Sequence, residues 1–419
     1  MRAFGRLSRF IRNQSGNALI LTTLSLPVMI GAGGLATDSI QWTLWKRQIQ
    51  RQADSAALAG AYAKAQGGNV TTSATTEINR HSFVTLSGSP TIENAPTTGA
   101  YAGNTNAVRV VLSTSQTLPF SSLFLSSPPV IRAEATAAAV TSGNYCVISL
   151  ESTSSAGITM QGNASVNLGC GIATNSRAAN AVVAGGSSSI SATPVAAVGG
   201  LQSSSNYASG TTLQPYSITQ PDPFAALPTP TVPSPCNAKL NVSPTETMSV
   251  TNSGTACYRG MDLKGTVHFA PGIYYIDGSS FSAGSQAVIT GTGVTFILTS
   301  NTAASNPGSI ATLDINGGAN IQLTATTAGI YAGVLFYQDR RAQDSGTNTI
   351  NGNASSMLQG AIYMPSQAAS FSGDSGMTTQ CVQIVTRRVT FIGNNNIVNN
   401  CPSGSGAHSF TGTRVQLVD

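Results

Sequence analysis

Three eleven-residue stretches far apart in the chain read almost alike. Ile158–Leu168 is ITMQGNASVNL, Leu313–Leu323 is LDINGGANIQL and Asn348–Leu358 is NTINGNASSML. Each sets Gln or Asn before Gly, follows with Asn or Gly, then Ala, then Ser or Asn, and ends on leucine. Val389–Asn399, VTFIGNNNIVN, is a degenerate fourth copy. Phe281–Ile289 (FSAGSQAVI) and Phe371–Thr379 (FSGDSGMTT) echo the same plan of short strand, Gly turn and short strand. A strand this short cannot bury a face alone, but stacked copies can, so the repetition predicts a solenoid. Asn and Gly suit its bends because they tolerate left-handed backbone. The expected fold over 141–419 is therefore mainly β, a right-handed parallel β-helix. The uneven interval between copies leaves a β-sandwich as the alternative.

Charged residues make up only 8% of the chain, against about 25% in ordinary soluble domains. With 41% hydrophobic residues the chain can still build a core, which separates it from disordered sequences of low charge. The pattern suits an extracytoplasmic β-rich protein. The formal charge of +5 is concentrated at one end. Residues 1–66 hold Arg2, Arg6, Arg9, Arg12, Lys46, Arg47, Arg51 and Lys64 against Asp38 and Asp54, so the remainder is close to neutral. A nucleic-acid partner is not expected, because that needs a basic face on the binding domain. Residues 201–235 interrupt the repeats with a proline-rich insertion that includes TQPDPFAALPTPTVPSP. It reads either as an extended strap along the solenoid or as the boundary between two domains.

Six cysteines fall into three neighbouring pairs, Cys146 with Cys170, Cys236 with Cys257 and Cys381 with Cys401. None forms a CxxC pair, so a zinc site is not expected. Sequence alone does not select among the possible pairings. Local bridges in an oxidising compartment are the expectation, each worth roughly 3 kcal/mol, with buried reduced thiols as the alternative.

Ala18–Ala36, ALILTTLSLPVMIGAGGLA, carries no charge and is long enough for a bilayer core. The arginines before it predict a basic cytoplasmic tail at 1–16, a transmembrane helix at 17–37 and the rest of the chain outside, in the periplasm or at the cell surface, with the anchor in the inner membrane. Trp42 and Trp45 read as interfacial aromatics or as packing residues. A cleaved signal peptide ending at Gly34-Leu35-Ala36 is a rival reading. Cleavage after Gly16 in the manner of prepilins is disfavoured, because Leu21 stands where that pattern wants Glu. Beyond the span, Asp38, Trp42, Trp45, Ile49, Gln52, Ala56 and Ala59 keep the spacing of one helix face. The candidate interface is Ile49, Gln52, Ala53, Asp54, Ala56, Ala57 and Gly60. It would pack against the module's own sheet or against another subunit. A second helix is expected over Thr71–Thr85, with strands at Ala107–Ser115, Thr117–Leu125 and Val130–Val140 and Arg109 facing solvent.

Gly16-Asn17-Ala18 opening an apolar span, Asp38 closing it, and the run Gln52-Ala53-Asp54-Ser55-Ala56-Ala57-Leu58-Ala59 together resemble the N-terminal module of TadE/TadG-like Flp pilus-assembly proteins. The resemblance is strongest over residues 10–65. It implies a pilin-like α+β module at 38–140, a membrane partner and neighbouring pilus-assembly or pilin-like subunits. Tyr145–Leu150, Cys170-Gly171-Ile172, Pro271–Tyr275 and Gly360–Tyr363 look like signatures of the repetitive β domains of TadG-like proteins. Asp344-Ser345-Gly346 and Asp374-Ser375-Gly376 do not fit the D-x-S-x-S of a von Willebrand A domain, so no metal site is expected.

A β-helix can also be a polysaccharide lyase or hydrolase, but such enzymes need converging carboxylates. The acids of the large region are scattered singly. The one dense spot holds Asp339, Arg340, Arg341 and Asp344. It reads either as a site for an acidic surface polysaccharide or another partner, or as a loop with surface ion pairs. Arg387 and Arg388 form a smaller patch. The expected function is a non-catalytic structural or adhesive component of a Tad-type pilus system, without cofactor. A carbohydrate-active enzyme and a surface adhesin unrelated to pili are the alternatives.

Overall fold

The computed structural model describes residues 14–418 apart from 253–254, 352, 354–355, 374–377, 394–395 and 400–408. The chain divides into two compact units, Met1–Val140 together with Val415–Asp419, and Thr141–Arg414.

In the first unit, helix α1 (Gln14–Ala65) runs unbroken through Pro27. Its first half is long and apolar enough to cross a membrane and is barely covered by protein. Leu21, Leu24, Val28 and Met29 all stand exposed there. Farther along, Asp38, Ile49, Gln52, Ala53, Ala56, Ala57 and Ala61 are buried. The change follows the sequence: large apolar side chains surround the first half, while small ones on one face let other elements approach the second. Helix α2 (Val70–Arg80) is shorter than the expected Thr71–Thr85. The Asn69 side chain caps it, accepting the Thr72 N–H at 2.9 Å, and Val70, Ala74 and Ile78 face inward. At Gly60 a Cβ would sit 2.9 Å from Val108 Cγ1 and 3.4 Å from Val70 Cγ1, so glycine is what lets helix, helix and strand meet. The strands Thr91–Asn94, Ala107–Thr114 and Ile131–Ser149 pair antiparallel, with Ile92 opposite Val110 and Val110 opposite Ala135. Val418 adds a backbone bond to Thr136.

Thr117–Leu125 is not a strand. Ser121–Leu123 forms one 3₁₀ turn. Pro119 cannot donate to a ladder, and two contacts with α1 fix the segment instead. Asp38 Oδ2 accepts the Ser121 N–H at 2.6 Å, and the Phe120 ring lies where a Gly34 side chain would be.

The second unit is built from parallel strands in three ladders. All pairings described for it run parallel, so the antiparallel pairs of a β-sandwich are absent from the described residues. One ladder carries an inward apolar column in which Tyr274, Phe296, Phe336, Ile362, Ile384, Val147, Ile172 and Val195 each stand beside the next. A second carries Ile315, Ile350, Phe371, Phe391, Met160 and Ala184. All of these except the half-buried Ala184 belong to one continuous core. Burial of each large member contributes roughly 1.5–3 kcal/mol.

The order of that column is not the order of the chain. The chain enters in the middle of the stack at Tyr145–Ser149, adds layers outward through Val195–Ala197 and Leu213–Gln214, and restarts at the opposite end near Leu240. It then builds back until Ile384 meets Val147 and Val389 meets Ile158. The fourth repeat copy therefore lies directly against the first. At their shared bend Gly393, Gly162 and Gly186 stack with φ of 85°, 76° and 68°. A Cβ at the motif's Gly162 would come 3.2 Å from the Gly393 nitrogen, and one at Gly186 in the next layer 2.9 Å from the Gly162 carbonyl, so the stacked bend favours glycine.

The insertion 201–235 carries the chain from one end of the stack to the other, as a strap rather than a domain boundary. Ser217 bonds the Ala197 carbonyl at one end. At the other, Cys236 is bridged to Cys257, and near the chain's entry Cys146 is bridged to Cys170. The distance is easily covered. Extended proline-rich chain advances about 3.1 Å per residue, so Ser217–Cys236 reaches about 60 Å, against about 40 Å for eight strand spacings. The third pairing, Cys381 with Cys401, lies outside the described residues.

Candidate functional site

Of the charged residues singled out in the large unit, Arg340 and Arg341 face the strap. Arg340 Nε donates to Tyr363 Oη at 2.6 Å and Nη1 to the Leu227 carbonyl at 2.8 Å, while Nη2 donates to the Phe224 carbonyl. Tyr363 in turn donates to Asp222 Oδ2 at 2.7 Å. Arg341 Nη2 bonds the Pro230 carbonyl at 3.2 Å and Asp339 Oδ2 at 2.6 Å. Asp339 is fully buried. Burial alone would raise its carboxyl, but hydrogen bonds from the Arg341 side chain and backbone and from Thr299 hold it below the usual carboxylate range. Beneath the strap, Tyr337, Tyr363, Ile148 and Val385 form a second apolar layer on the outside of a ladder, with Phe224 and Leu227 packed on it. Within the cluster expected to be a sugar-binding site or a surface loop, Arg340 and Arg341 thus form a clamp. Its polar partners are strap carbonyls, which leave no mark in a sequence pattern.

Asp344 belongs to a different group. Glu151, 1% exposed, accepts Arg387 Nε at 3.1 Å and Arg388 Nη1 at 2.5 Å, and both arginines also reach Asp344. Glu151 follows the first strand of the stack and the arginines lie on the strand Thr378–Gly393 that returns to it, so the cluster staples the seam where the unit's first layer meets its returning one. Burial would raise the Glu151 carboxyl. The hydroxyl and N–H of Thr153 and the two arginines outweigh this and hold it down to about 2. A carboxyl lowered on folding adds stability that is complete above its ordinary value near 4.5 and is lost as pH falls toward 2. Water screens the part-exposed arginines, so the loss is about 2 kcal/mol. Thermal melts at stepped pH should show little change in this contribution down to about pH 5 and a decline below. Glu151→Gln should flatten the decline.

In the first unit the candidate interface residues are mostly inside the module. Ile49, Ala53, Ala56 and Ala57 are fully buried and Gln52 nearly so. Gln52 Nε2 donates to the Ile78 carbonyl of α2 at 2.7 Å. Asp54 is half-buried and takes a 2.9 Å bond from Gln50, which also bonds the Glu134 carbonyl at 2.7 Å. Of the two partners expected for this face, the structure supplies the module's own α2 and sheet. Arg109, expected to face solvent, is largely covered and paired with Glu93 and Glu134.

A helix with a bare apolar half and a small-residue half ending in QADSAALA has a counterpart among known proteins. Residues 16–63 match the Tad family, described as putative Flp pilus-assembly TadE/G-like. The match falls wholly within α1 and covers both its exposed and its buried half. No curated protein and no solved structure matches the chain. On its open side the Tad helix borders a cleft of about 690 Å³ lined by Gln48, Arg51, Gln52, Asp54, Ser55, His81 and Phe83. Gln52 and Asp54 are thus the two interface candidates that also border open space.

Proposed function

We propose that the protein is a single-pass, membrane-anchored component of a Tad-type pilus-assembly system. α1 holds it in the inner membrane with its N-terminus in the cytoplasm. The parallel-strand unit is read as a right-handed parallel β-helix that stands in the periplasm or at the cell surface as a non-catalytic structural or adhesive scaffold. The observation that carries this is the Tad match over a helix that is apolar and uncovered in its first half and docked to its own module in the second. The large unit's charge clusters support a scaffold role. Asp339, Glu151, Asp344 and Asp222 are all engaged by arginine or tyrosine within the fold, an arrangement unlike the open, facing carboxylates of sugar hydrolysis.

Deleting the gene should abolish or sharply reduce surface pili and pilus-dependent adhesion, counted by electron microscopy and a surface-attachment assay. Normal pili in the deletion strain would reject the proposal. Loss of adhesion with normal pili would favour an adhesin that acts apart from them.

A further inference from the structure

The segment after Gln116 carries no charged residue until Arg132, and it displays its apolar side chains outward. Leu123 is 75% exposed, Phe124 66%, Leu125 44% and Val130 70%. Hydrophobic groups so exposed on a segment held at a fixed place need an occupant. The segment's attachment shows where it lies. The Phe120 ring covers Gly34, and the Asp38 carboxylate holds the Ser121 N–H at 2.6 Å. Gly34 lies in the last turn of the uncharged span and Asp38 one turn on, just past its end. Counted from Ala18 at about 1.5 Å per residue, the hydrocarbon core of about 30 Å ends at this turn. Trp42 and Trp45 follow about 6 and 11 Å farther along the axis, at headgroup height.

We propose that the loop Pro119–Leu125 is a second membrane contact, with Leu123, Phe124 and Leu125 entering the interfacial layer of the outer leaflet beside α1. Asp38 then has a role inside the protein. It does not simply mark the exit from the membrane, since its carboxylate is buried and fixes the loop at the depth of the span's end. Two contacts on one bilayer face restrict the tilt and rotation that a single helix leaves free. The Tad module is thereby presented in a set orientation to whatever it assembles with.

This inference rests on α1 being a membrane span, and the test separates the two. Full-length protein is placed in vesicles of phosphatidylethanolamine and phosphatidylglycerol, with plain or brominated acyl chains. Fluorescence added by Phe124→Trp over the parent is compared with that added by Leu24→Trp in the span; Leu123→Trp serves as a second loop probe. The expected result is blue-shifted emission lost to brominated lipid from the loop probes and from Leu24→Trp alike. Quenching at Leu24→Trp with water-like, unquenched emission from both loop probes overturns the loop contact alone. Blue-shifted but unquenched loop emission overturns it in favour of a protein occupant. No quenching at Leu24→Trp removes the span reading, and the loop contact with it.

Discussion

Replacing Ala56 with glutamate is expected to unfold the membrane-proximal module while leaving the melting of the parallel-strand unit in place. Ala56 has no exposed surface. It lies one helical turn before Gly60, where α1, α2 and the strand Ala107–Thr114 already meet at 2.9 Å for an added Cβ. A glutamate there must either bury a carboxylate with no partner or push α2 off the helix. Stranding a buried charge costs about 3–5 kcal/mol, much of the 5–15 kcal/mol that holds a typical domain together. Limited trypsin digestion reads the result, because Arg80, Arg109 and Arg132 lie within the module. The variant should be cut there at enzyme levels that spare the parent. Gln48→Glu, on the exposed side of the same helix, should resist like the parent. Equal resistance of Ala56→Glu would mean that this face of the Tad helix is not a core.

The physical causes behind α1 were open in the sequence. An apolar stretch followed by small residues at 4-3 spacing needs no knowledge of its partners to be read as one helix. The repeats were legible for a similar reason. The copies report similar local surroundings, an inward apolar residue and a neighbouring layer, with a left-handed glycine at the bend of the first and fourth, Gly162 and Gly393. What the repeats do not encode is order. Val389–Asn399 resembles Ile158–Leu168 because the two share a bend through Gly393 and Gly162, yet nothing in either copy says that they are neighbours. Neither the return of the chain nor the strap that makes it possible can be deduced from periodicity.

Thr117–Leu125 failed as a strand for a different reason. Alternating apolar residues announce two environments, and a sheet with one wet face is only one way to supply them. Here Phe120 turns to Gly34 while Leu123 and Phe124 turn away from the protein. At Asp339 the pattern misleads because charge is read as surface. Asp339 is buried because Arg341 and Thr299 satisfy it, and the arginines are held by carbonyls of a segment more than a hundred residues earlier in the chain.

That clamp predicts the second large effect. Arg340→Ala should lower the stability of the parallel-strand unit by about 2 kcal/mol, since truncating one member of a part-buried, charged hydrogen-bond set leaves its partners unpaired. The orphaned groups are the Leu227 and Phe224 carbonyls and Tyr363 with Asp222 behind it. The strap would also lose its hold over the rings of Tyr337 and Tyr363, which flank the guanidinium at 5.9 and 5.4 Å. Thermolysin, which cuts before bulky apolar residues, should then cleave at Phe224–Leu227 in the variant and spare the parent. Trypsin has no site between 201 and 235. Arg340→Lys should restore little, because a single ammonium on a flexible stem cannot bond Tyr363 and two carbonyls in one plane. A ligand site and a clamp make opposite predictions here. If Arg340 served a bound polysaccharide, alanine would weaken that binding and leave melting and strap cleavage unchanged. If it holds the strap, both change in the absence of any ligand.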